Sequence, residues 1–592
     1  MRSLRVLTIS SLCALSMMFA LDQANSVSAA DVKALTKAEI QALTKAEKQA
    51  LTKTEKLALR QKLQDATKNA TAAPPAKSAE IAPAAIKKPV AKPAIAQDPV
   101  ALARQIDARL NEKLAAAKII PSARCTDEEF LRRAYLDITG VIPTPEKAKR
   151  FLDDASPTKR AILIDELLAD PNYGRKQSDI WTPKLYARDS ANRFITREPF
   201  TAWLKEQFNK NVPWNEFVYS LVAATGTVDV NPAVTYFLAN RTIDKLTDTT
   251  TQHFMGVRLG CAQCHNHPFT DTKQIEYWGI AAFYSKVAPD RPQNGNKGGD
   301  NAKLGVSEGP RETKLKDFFP ESTKRVPAKF LGAEEPKMNS SEPYRPVLAK
   351  WLTSTENPFF AKAMVNRTWA AYFGNGIIDP IDDMIKTRQP SHPELLNELA
   401  DHFARSGFDL KYLVKAICLT DAYNRSARAA GNNGEDHELL SHMNVKLMSA
   451  EELFDSLAVL TGPGANSEAM KKKEAAGGKG QPTGPRAVFV NFFLAGNEES
   501  NPTEYEAGIP QALKLMNSKL SGNPATIKQF GATNSKPAEV LEKMYLAALS
   551  RKPTAEETKR LTEYLGKTGT PAEAYSDVLW ALVNSSEFRM IR

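Results

Sequence analysis

Cysteine and histidine are both scarce in this chain. Its 592 residues include five cysteines and seven histidines. Cys13 lies in an apolar stretch near the N-terminus, and the others are Cys125, Cys261, Cys264 and Cys418. So few cysteines exclude the dense disulfide framework on which small secreted domains depend. Cys125 and Cys418 are far apart in the sequence and are either buried free thiols or partners in a single bridge.

Two common catalytic patterns are not recognised in the sequence. They are the G-x-S-x-G nucleophile elbow and the glycine-rich loop that cradles a phosphate. With so few histidines, the chain has few side chains suited to general acid–base catalysis near neutral pH, so a hydrolase is poorly supported. Strand-like alternation is rare as well, whereas apolar residues often recur at helical spacing. The sequence therefore predicts a mainly α-helical protein.

The N-terminus has the composition of a secretory signal peptide. Arg2 and Arg5 precede an apolar run from Val6 to Leu21, and Val27-Ser28-Ala29 offers small residues for cleavage. The run is shorter than the roughly 20 residues that a membrane-spanning helix needs. We therefore assign residues 1–29 to a signal peptide and expect export to the periplasm or the cell surface.

A repeat and a proline-rich tract follow the signal peptide. The hexapeptide at 34–39 recurs at 42–47 and, with one change, at 50–55. Its residues favour helix, which predicts a solvated helical spacer over 30–66. Residues 67–97 are rich in alanine, proline and lysine, a composition that cannot bury a core and predicts an extended linker.

The chain carries an excess of positive charge. Its 79 lysines and arginines exceed its 68 acidic residues by 11. Export argues against nucleic acid as the partner, and much of the excess lies in lysine-rich flexible segments. The charge is therefore either solvated or suited to an acidic surface polymer or a membrane face.

The rest of the chain is too long for one hydrophobic core and predicts two domains. The first covers residues 98–290. Residues 291–340 are rich in glycine, asparagine, lysine and proline, and predict a mobile insertion or linker. The second domain covers residues 341–592 and is again predicted to be helical.

We predict helix capping boxes at three tetrapeptides, in each of which a hydroxyl residue is followed three positions later by glutamate. They are Thr126–Glu129, Ser391–Glu394 and Thr554–Glu557. Each predicts the start of a helix.

The sequence Cys261-Ala262-Gln263-Cys264-His265 has the spacing of a c-type haem attachment motif. In such motifs each thiol adds to one vinyl group of the haem, and the adjacent histidine ligates the iron. His265 is thus the predicted proximal ligand. Candidates for the second axial position are, in falling order, His267, Met255 and His253. The second position is otherwise open, which would favour redox catalysis over plain electron transfer.

Two other interpretations of this segment stay open. Cys261, Cys264, His265 and His267 are all residues that zinc accepts, although zinc sites usually draw their ligands from two separated clusters. The two cysteines could instead form a disulfide or redox pair beside an incidental histidine. If the segment binds zinc or forms a disulfide, the protein would be a non-redox surface or scaffold protein.

Apolar residues flank the motif on both sides. Before it, Leu246, Thr250, Phe254 and Val257 share one face of a predicted helix, which Gly260 can end. After it, Tyr277, Trp278, Phe283 and Tyr284 form an aromatic cluster. This cluster either lines a haem or belongs to an ordinary helix packed into the core.

Two residue groups in the second half admit a structural and a functional interpretation. His392, inside the predicted capping box, is either a helix-start residue or a distal haem ligand or acid–base group. Asp382-Asp383 is either a turn or an acid pair that could bind a cation. Asn366, Arg367 and Trp369 are expected on a buried helix, where they would order the core.

Several of these stretches resemble the planctomycete cytochrome-C-like domain and the large planctomycete domain that follows it. The matching stretches of the first domain are 130–140, 142–146, 261–269 and 277–283. Those of the second are 345–352, 357–360, 365–369, 373–374, 390–396 and 510–517. The resemblance covers the chain from about residue 100 onward.

The resemblance implies an exported component of bacteria that degrade many polysaccharides. Such proteins are often encoded beside a second exported family that resembles sulfatases. An electron-transfer or oxidative role in glycan breakdown is therefore implied, with a redox partner or a sulfatase-like protein as the partner. We expect an exported, helical, two-domain protein with one covalent haem c.

Overall fold

The structure is a computed structural model that describes most of the chain beyond the predicted linker. The described residues are 97–187, 197–267, 271–290, 304–309, 326–339, 341–384, 389–461, 484–494, 508–517, 524–531, 535–567 and 570–592. The predicted signal peptide, the helical spacer and all but the last residue of the linker lie outside them. No helix among the described residues is long and apolar enough to cross a bilayer.

Ten helices are described before residue 290. They are α1 (Pro99–Ala117), α2 (Asp127–Thr139), α3 (Pro145–Asp153), α4 (Lys159–Ala169), α5 (Pro171–Leu185), α6 (Glu198–Asn209), α7 (Trp214–Val222), α8 (Thr235–Ala239), α9 (Ile243–Met255) and α10 (Gln274–Ala281). Single 3₁₀ turns lie at Pro232–Val234, Gly260–Gln263 and Ala282–Tyr284.

Twelve further helices are described after residue 340. They are α11 (Arg345–Leu352), α12 (Phe360–Phe373), α13 (Pro393–Arg405), α14 (Leu410–Leu419), α15 (Ala450–Thr461), α16 (Pro485–Leu494), α17 (Ile509–Met516), α18 (Pro524–Gln529), α19 (Pro537–Leu549), α20 (Ala555–Leu565), α21 (Pro571–Asn584) and α22 (Ser586–Arg589). The prediction of a mainly α-helical protein is confirmed.

Five short strands complete the described secondary structure. They are β1 (Gly226–Thr227), β2 (Val287–Asp290), β3 (Gly305–Glu308), β4 (Lys446–Leu447) and β5 (Met590–Ile591). β3 lies between β1 and β2 and is antiparallel to both, with Val306 opposite Gly226. β4 pairs antiparallel with β5, with Lys446 opposite Ile591.

The three predicted capping boxes have different outcomes. At the start of α20, Thr554 and Glu557 make the full reciprocal pair of hydrogen bonds. At α2, Thr126 Oγ1 accepts from the Glu129 N–H over 3.3 Å, as predicted. The Glu129 carboxylate does not return to the cap, because it binds the Ala427 N–H and Arg133 instead. The box at α2 is therefore only half formed.

The predicted box at Ser391 is wrong. Helix α13 is capped by His392, which makes no side-chain capping bond, and Pro393 is its first residue. A residue before proline is disfavoured in helical conformation, which holds His392 at φ −136° and ψ 77° outside the helix. Ser391 Oγ instead donates to the Ile377 carbonyl oxygen over 3.3 Å. The structural interpretation of His392 as a helix-start residue holds, with its ring buried.

Helices from before and after the predicted insertion share one apolar core. The ring of Trp214, on α7, lies 4.7 Å from that of Trp181 on α5 and 6.4 Å from that of Phe360 on α12. The backbone N–H of Trp214 also donates to the Phe408 carbonyl oxygen over 3.0 Å. A second apolar cluster is formed by residues of helices α15 through α22. Leu136, on α2, and neighbouring residues also belong to it. The described residues all belong to one compact unit.

Two described stretches of the predicted insertion pack against the helices. Residues 304–309 contain β3, and residues 326–339 contain Phe330. The Phe330 ring stacks between Phe283, at 5.2 Å, and Trp351, at 4.7 Å. The domain boundaries at 290 and 341 remain predictions.

Two buried arginines on α2 join this helix to the C-terminal residues. Arg132 donates to the Ala548 carbonyl oxygen over 2.9 Å and also to that of Phe588. Arg133 donates to the Arg592 carbonyl oxygen over 3.0 Å and to that of Tyr423. Burial lowers the pKa of Arg132 to about 9, which leaves the guanidinium charged at neutral pH.

We expect the substitution Arg132→Met to destabilise the protein by about 2–4 kcal/mol, because it leaves two buried carbonyl oxygens without a donor. Urea unfolding followed by tryptophan fluorescence measures the loss. The matched control is Arg150→Met, since the Arg150 side chain is 66% exposed and pairs with Glu166, which is itself half exposed. A loss at Arg132 as small as the control's would refute a structural role for these bonds.

The capping box of α20 predicts a pH-dependent stability. Two hydrogen bonds of 2.8 Å from Arg551 hold the pKa of Glu557 down to about 2. A lowered carboxyl pKa in the folded state contributes stability above the unfolded value of about 4.3, and that stability is lost as the pH falls towards 2.

Glu557→Gln should therefore cost about 1–2 kcal/mol at pH 7, after allowance for partial solvent screening, and about half of that at pH 3. Thermal unfolding of both proteins across this pH range measures the difference. The control is Glu556→Gln, whose side chain is 79% exposed in an i,i+4 pair and should change stability by only a few tenths of a kcal/mol. A cost for Glu557→Gln that is independent of pH would rule out the ionic contribution.

Candidate functional site

Helix α9 leads into the motif, as the spacing of its apolar residues predicts. It ends at Gly256 rather than at the predicted Gly260, because Gly256 adopts φ +67° and its N–H closes back on the Thr251 carbonyl oxygen. A β-carbon on Gly256 would lie 3.1 Å from the sulfur of Met384. Glycine is therefore favoured at this position by backbone conformation and by space.

The motif cysteines lie on and just after a 3₁₀ turn, Gly260–Gln263. Ala262 is fully buried, and its N–H donates to the Leu259 carbonyl oxygen over 2.8 Å. Cys261 and Cys264 are exposed, and their thiols are not bridged. The turn therefore presents both thiols to solvent while its small central residue packs inward.

Helix α10 holds the turn in place. The Gln263 carbonyl oxygen accepts a hydrogen bond of 3.0 Å from Trp278 Nε1 and one of 2.9 Å from the Gln274 side chain. The Gln274 N–H also donates to the side chain of Asn266 over 3.0 Å. Trp278 and Tyr277 are both buried. These aromatic residues belong to the core that supports the turn.

The imidazole of His265 is exposed and hydrogen-bonded through one nitrogen. Its Nδ1 lies 2.7 Å from the carbonyl oxygen of Asn266. A carbonyl can only accept, so this contact favours the tautomer with the proton on Nδ1. The Nε2 lone pair is then available to a metal, the arrangement usual for metal-ligating histidines.

Of the three candidates for the second axial position, only His267 lies on the same exposed segment as the motif. It is half-buried, and its N–H donates to the Thr272 carbonyl oxygen over 2.9 Å. Met255 is 1% exposed and packs in the apolar core. His253 is enclosed in a polar cluster with Asp382. The structure thus does not bring Met255 or His253 to the exposed thiols.

This polar cluster connects α9 to the loop after α12. Asp382 pairs with Arg367 and accepts a hydrogen bond of 3.3 Å from Gln252. His253 Nδ1 lies 3.9 Å from the Asp382 carboxylate. Burial, followed by the positive charges of Arg367 and Lys184, lowers the pKa of His253 well below its ordinary value. His253 is therefore neutral at physiological pH.

The cluster decides between the interpretations of Asp382. Its carboxylate is 5% exposed and is neutralised by Arg367, so it is neither a plain turn residue nor an open cation ligand. The neighbouring Asn366 binds both the N–H of Ile378, over 2.9 Å, and its carbonyl oxygen, over 2.8 Å. The expectation that Asn366 and Arg367 order the core is confirmed.

The G-x-S-x-G pattern does occur, at Gly305–Gly309, so the statement above that the sequence lacks it is wrong. Four of these five residues form β3, in the middle of an antiparallel sheet. The Glu308 carboxylate accepts hydrogen bonds from the N–H groups of Tyr344, over 2.9 Å, and Arg345, over 3.1 Å. This stretch joins the sheet to the start of α11, and it is not the strand–turn–helix elbow of a hydrolase.

Sequence reasoning missed an acidic residue beside the motif. Asp248, on α9, is half-buried, and its Oδ1 has no hydrogen-bond partner among the described residues. A β-carbon on Gly260 would lie 3.7 Å from both carboxyl oxygens. Burial raises the pKa of Asp248 to about 6. Nothing in the sequence around Asp248 signals this position, because it depends on how α9 meets the turn.

The other sulfur and acid groups do not form a metal centre. Cys125 and Cys418 are buried free thiols, which answers the question that the sequence left open. Within the described part of the chain, no three or more histidine, cysteine, aspartate or glutamate residues are arranged to hold a metal ion. The four residues proposed above as zinc ligands therefore do not converge.

Comparison with protein families identifies both halves of the chain. Residues 105–288 match the PSCyt2 family and residues 344–565 match the PSD1 family, each described as a protein of unknown function. No curated protein and no solved structure matches the chain. Both matches lie where the sequence motifs place the resemblance, and in the same order. The chain therefore carries the planctomycete cytochrome-C-like domain PSCyt2 followed by the planctomycete domain PSD1.

Proposed function

We propose that this protein is an exported c-type haem protein with a redox role outside the cytoplasm. Cys261 and Cys264 would hold the haem through thioether bonds, and His265 would be its proximal ligand. The observation that carries the proposal is the exposure of these three residues on one short segment. Both thiols are unbridged, and the Nδ1 of the imidazole is occupied by a carbonyl oxygen.

The residues present fit this group chemically. Addition to a vinyl group needs a thiol that is reduced and reachable, and both motif thiols meet that requirement. Iron ligation by histidine needs a free ring nitrogen, which His265 has in Nε2. A haem bound here would supply one-electron redox chemistry.

The surrounding residues would set the rigidity of the centre. Trp278 and Gln274 fix the Gln263 carbonyl oxygen, so the backbone between the two thiols is held from the core side. A rigid attachment keeps the donor atoms in one geometry through changes in oxidation state. His267 is the remaining candidate at this surface for the second axial position, and an open position would favour redox catalysis.

Export and the partners follow from the sequence. The N-terminal segment has the pattern of a signal peptide, and covalent haem attachment takes place outside the cytoplasm. The positive charge suits an acidic surface polymer or a membrane face, which would hold the protein near extracellular polysaccharide. Support of polysaccharide breakdown, with a redox protein or an exported sulfatase-like protein as partner, is the role we propose.

Expression in a host that matures c-type cytochromes should give a red protein. Its Soret band should stay with the polypeptide after acid–acetone extraction, because thioether bonds survive this treatment. The double variant Cys261→Ser, Cys264→Ser should lose the band completely. His265→Ala should keep the covalent haem with a shifted, weaker spectrum, since only the iron ligand is removed.

The matched control is Cys418→Ala, which removes a buried thiol far from the motif in the sequence and should leave the spectrum unchanged. A colourless protein from the same host would overturn the proposal. Stoichiometric zinc in that colourless protein, lost in the double variant, would support the alternative of a non-redox scaffold.

A further inference from the structure

A carboxyl group lies beside the segment that carries the two thiols. Gly260 directly precedes Cys261, and a β-carbon on Gly260 would lie in van der Waals contact with the Asp248 carboxyl group, 3.7 Å from each oxygen. The Asp248 Oδ1 is enclosed, and no described residue donates a hydrogen bond to it. An ionised oxygen in such a position is poorly solvated, which favours the protonated acid.

The charges around Asp248 also favour proton binding. The pKa of Asp248 is raised to about 6, and burial is the largest cause. The negative charge of Asp244, one helical turn away, also raises this pKa. A hydrogen bond with Tyr277 on α10 lowers it. Helices α5 and α12 also pack against α9. The charged groups that they bring to α9, Lys184 and Arg367, act on His253. No described cation therefore forms an ion pair with Asp248.

We propose that Asp248 is a redox-linked proton site, which takes up one proton when the c-type centre on Cys261 and Cys264 accepts one electron. The inference rests on the haem function proposed above. A one-electron donor supplies the electron, which converts ferric to ferrous iron. Solvent supplies the proton, which converts the carboxylate to the carboxylic acid. The net charge of the site is then the same before and after reduction.

The coupling follows from electrostatics. Reduction removes one positive charge near the carboxylate, so the carboxylate binds a proton more tightly. By linkage, the protonated acid favours the reduced state by the same amount. The midpoint potential should therefore fall as the pH rises through the titration of Asp248. The steepest slope is 59 mV per pH unit, which is the potential equivalent of a tenfold change for one electron.

Spectroelectrochemical titration of the full-length holoprotein between about pH 4.5 and 8 tests the proposal. The wild-type potential should fall within this window. Asp248→Asn should remove that fall and keep the potential near the wild-type acid value, because the amide resembles the neutral acid. The matched control is Asp244→Asn, on the same helix. In Asp244→Asn the midpoint potential should still fall with rising pH, but the fall should occur at lower pH, because the variant lacks a negative charge that raises the pKa of Asp248.

Gly260→Ala tests whether the Asp248 carboxyl group lies against the segment that carries the thiols. Its methyl group would contact the carboxyl group and exclude water from it, which should move the fall in potential to higher pH. A haem-containing Asp248→Asn protein with the wild-type pH dependence would overturn this inference and leave the haem function standing. A protein without extraction-resistant haem would overturn the haem function, and the proton site with it.

Discussion

The carbonyl oxygen of Gln263 is the point at which the motif is fixed to the helical core. Two donors from α10, the Trp278 indole and the Gln274 amide, converge on it. Trp278 is itself enclosed, so the orientation of the turn is set by the packing of a large aromatic side chain. The exposed thiols are therefore carried by a backbone that has little freedom to rearrange. A motif of five residues gains a defined geometry only because a helix ten residues further along the chain supports it.

The two family-matched halves are joined by buried polar contacts as well as by a common core. Glu308 on β3, which lies between the two matched regions, binds the first backbone N–H of α11. Arg345, at the start of that helix, is completely buried and donates to the Ala224 carbonyl oxygen of the other half over 2.7 Å. Leaving either group without its partner inside the protein would be costly. Together with the shared aromatic core, these contacts make large independent movements of the halves unfavourable.

Local signals in the sequence predicted much of this arrangement, and contacts between distant residues account for what they missed. The helical class, the cap at Thr554 and the helix before the motif depend on residues within a few positions of one another. The burial of Asp248, the pairing of Arg367 with Asp382 and the use of the Glu129 carboxylate by Ala427 depend on how separate elements pack. A glutamate three residues after a threonine satisfies the capping pattern, yet a distant backbone N–H competes for the same carboxylate. The pattern cannot reveal that competition.

The burial of Cys125 and Cys418 has a consequence for the chemistry of the exposed pair. Burial raises the pKa of the Cys418 thiol well above its ordinary value, and neither side chain is accessible to solvent. Thiolate, rather than thiol, reacts with disulfides and electrophiles. Of the four cysteines that the structure describes, Cys261 and Cys264 are thus the two whose side chains a reagent in solution can reach. The fold therefore separates the two motif cysteines from the other two described cysteines by accessibility alone.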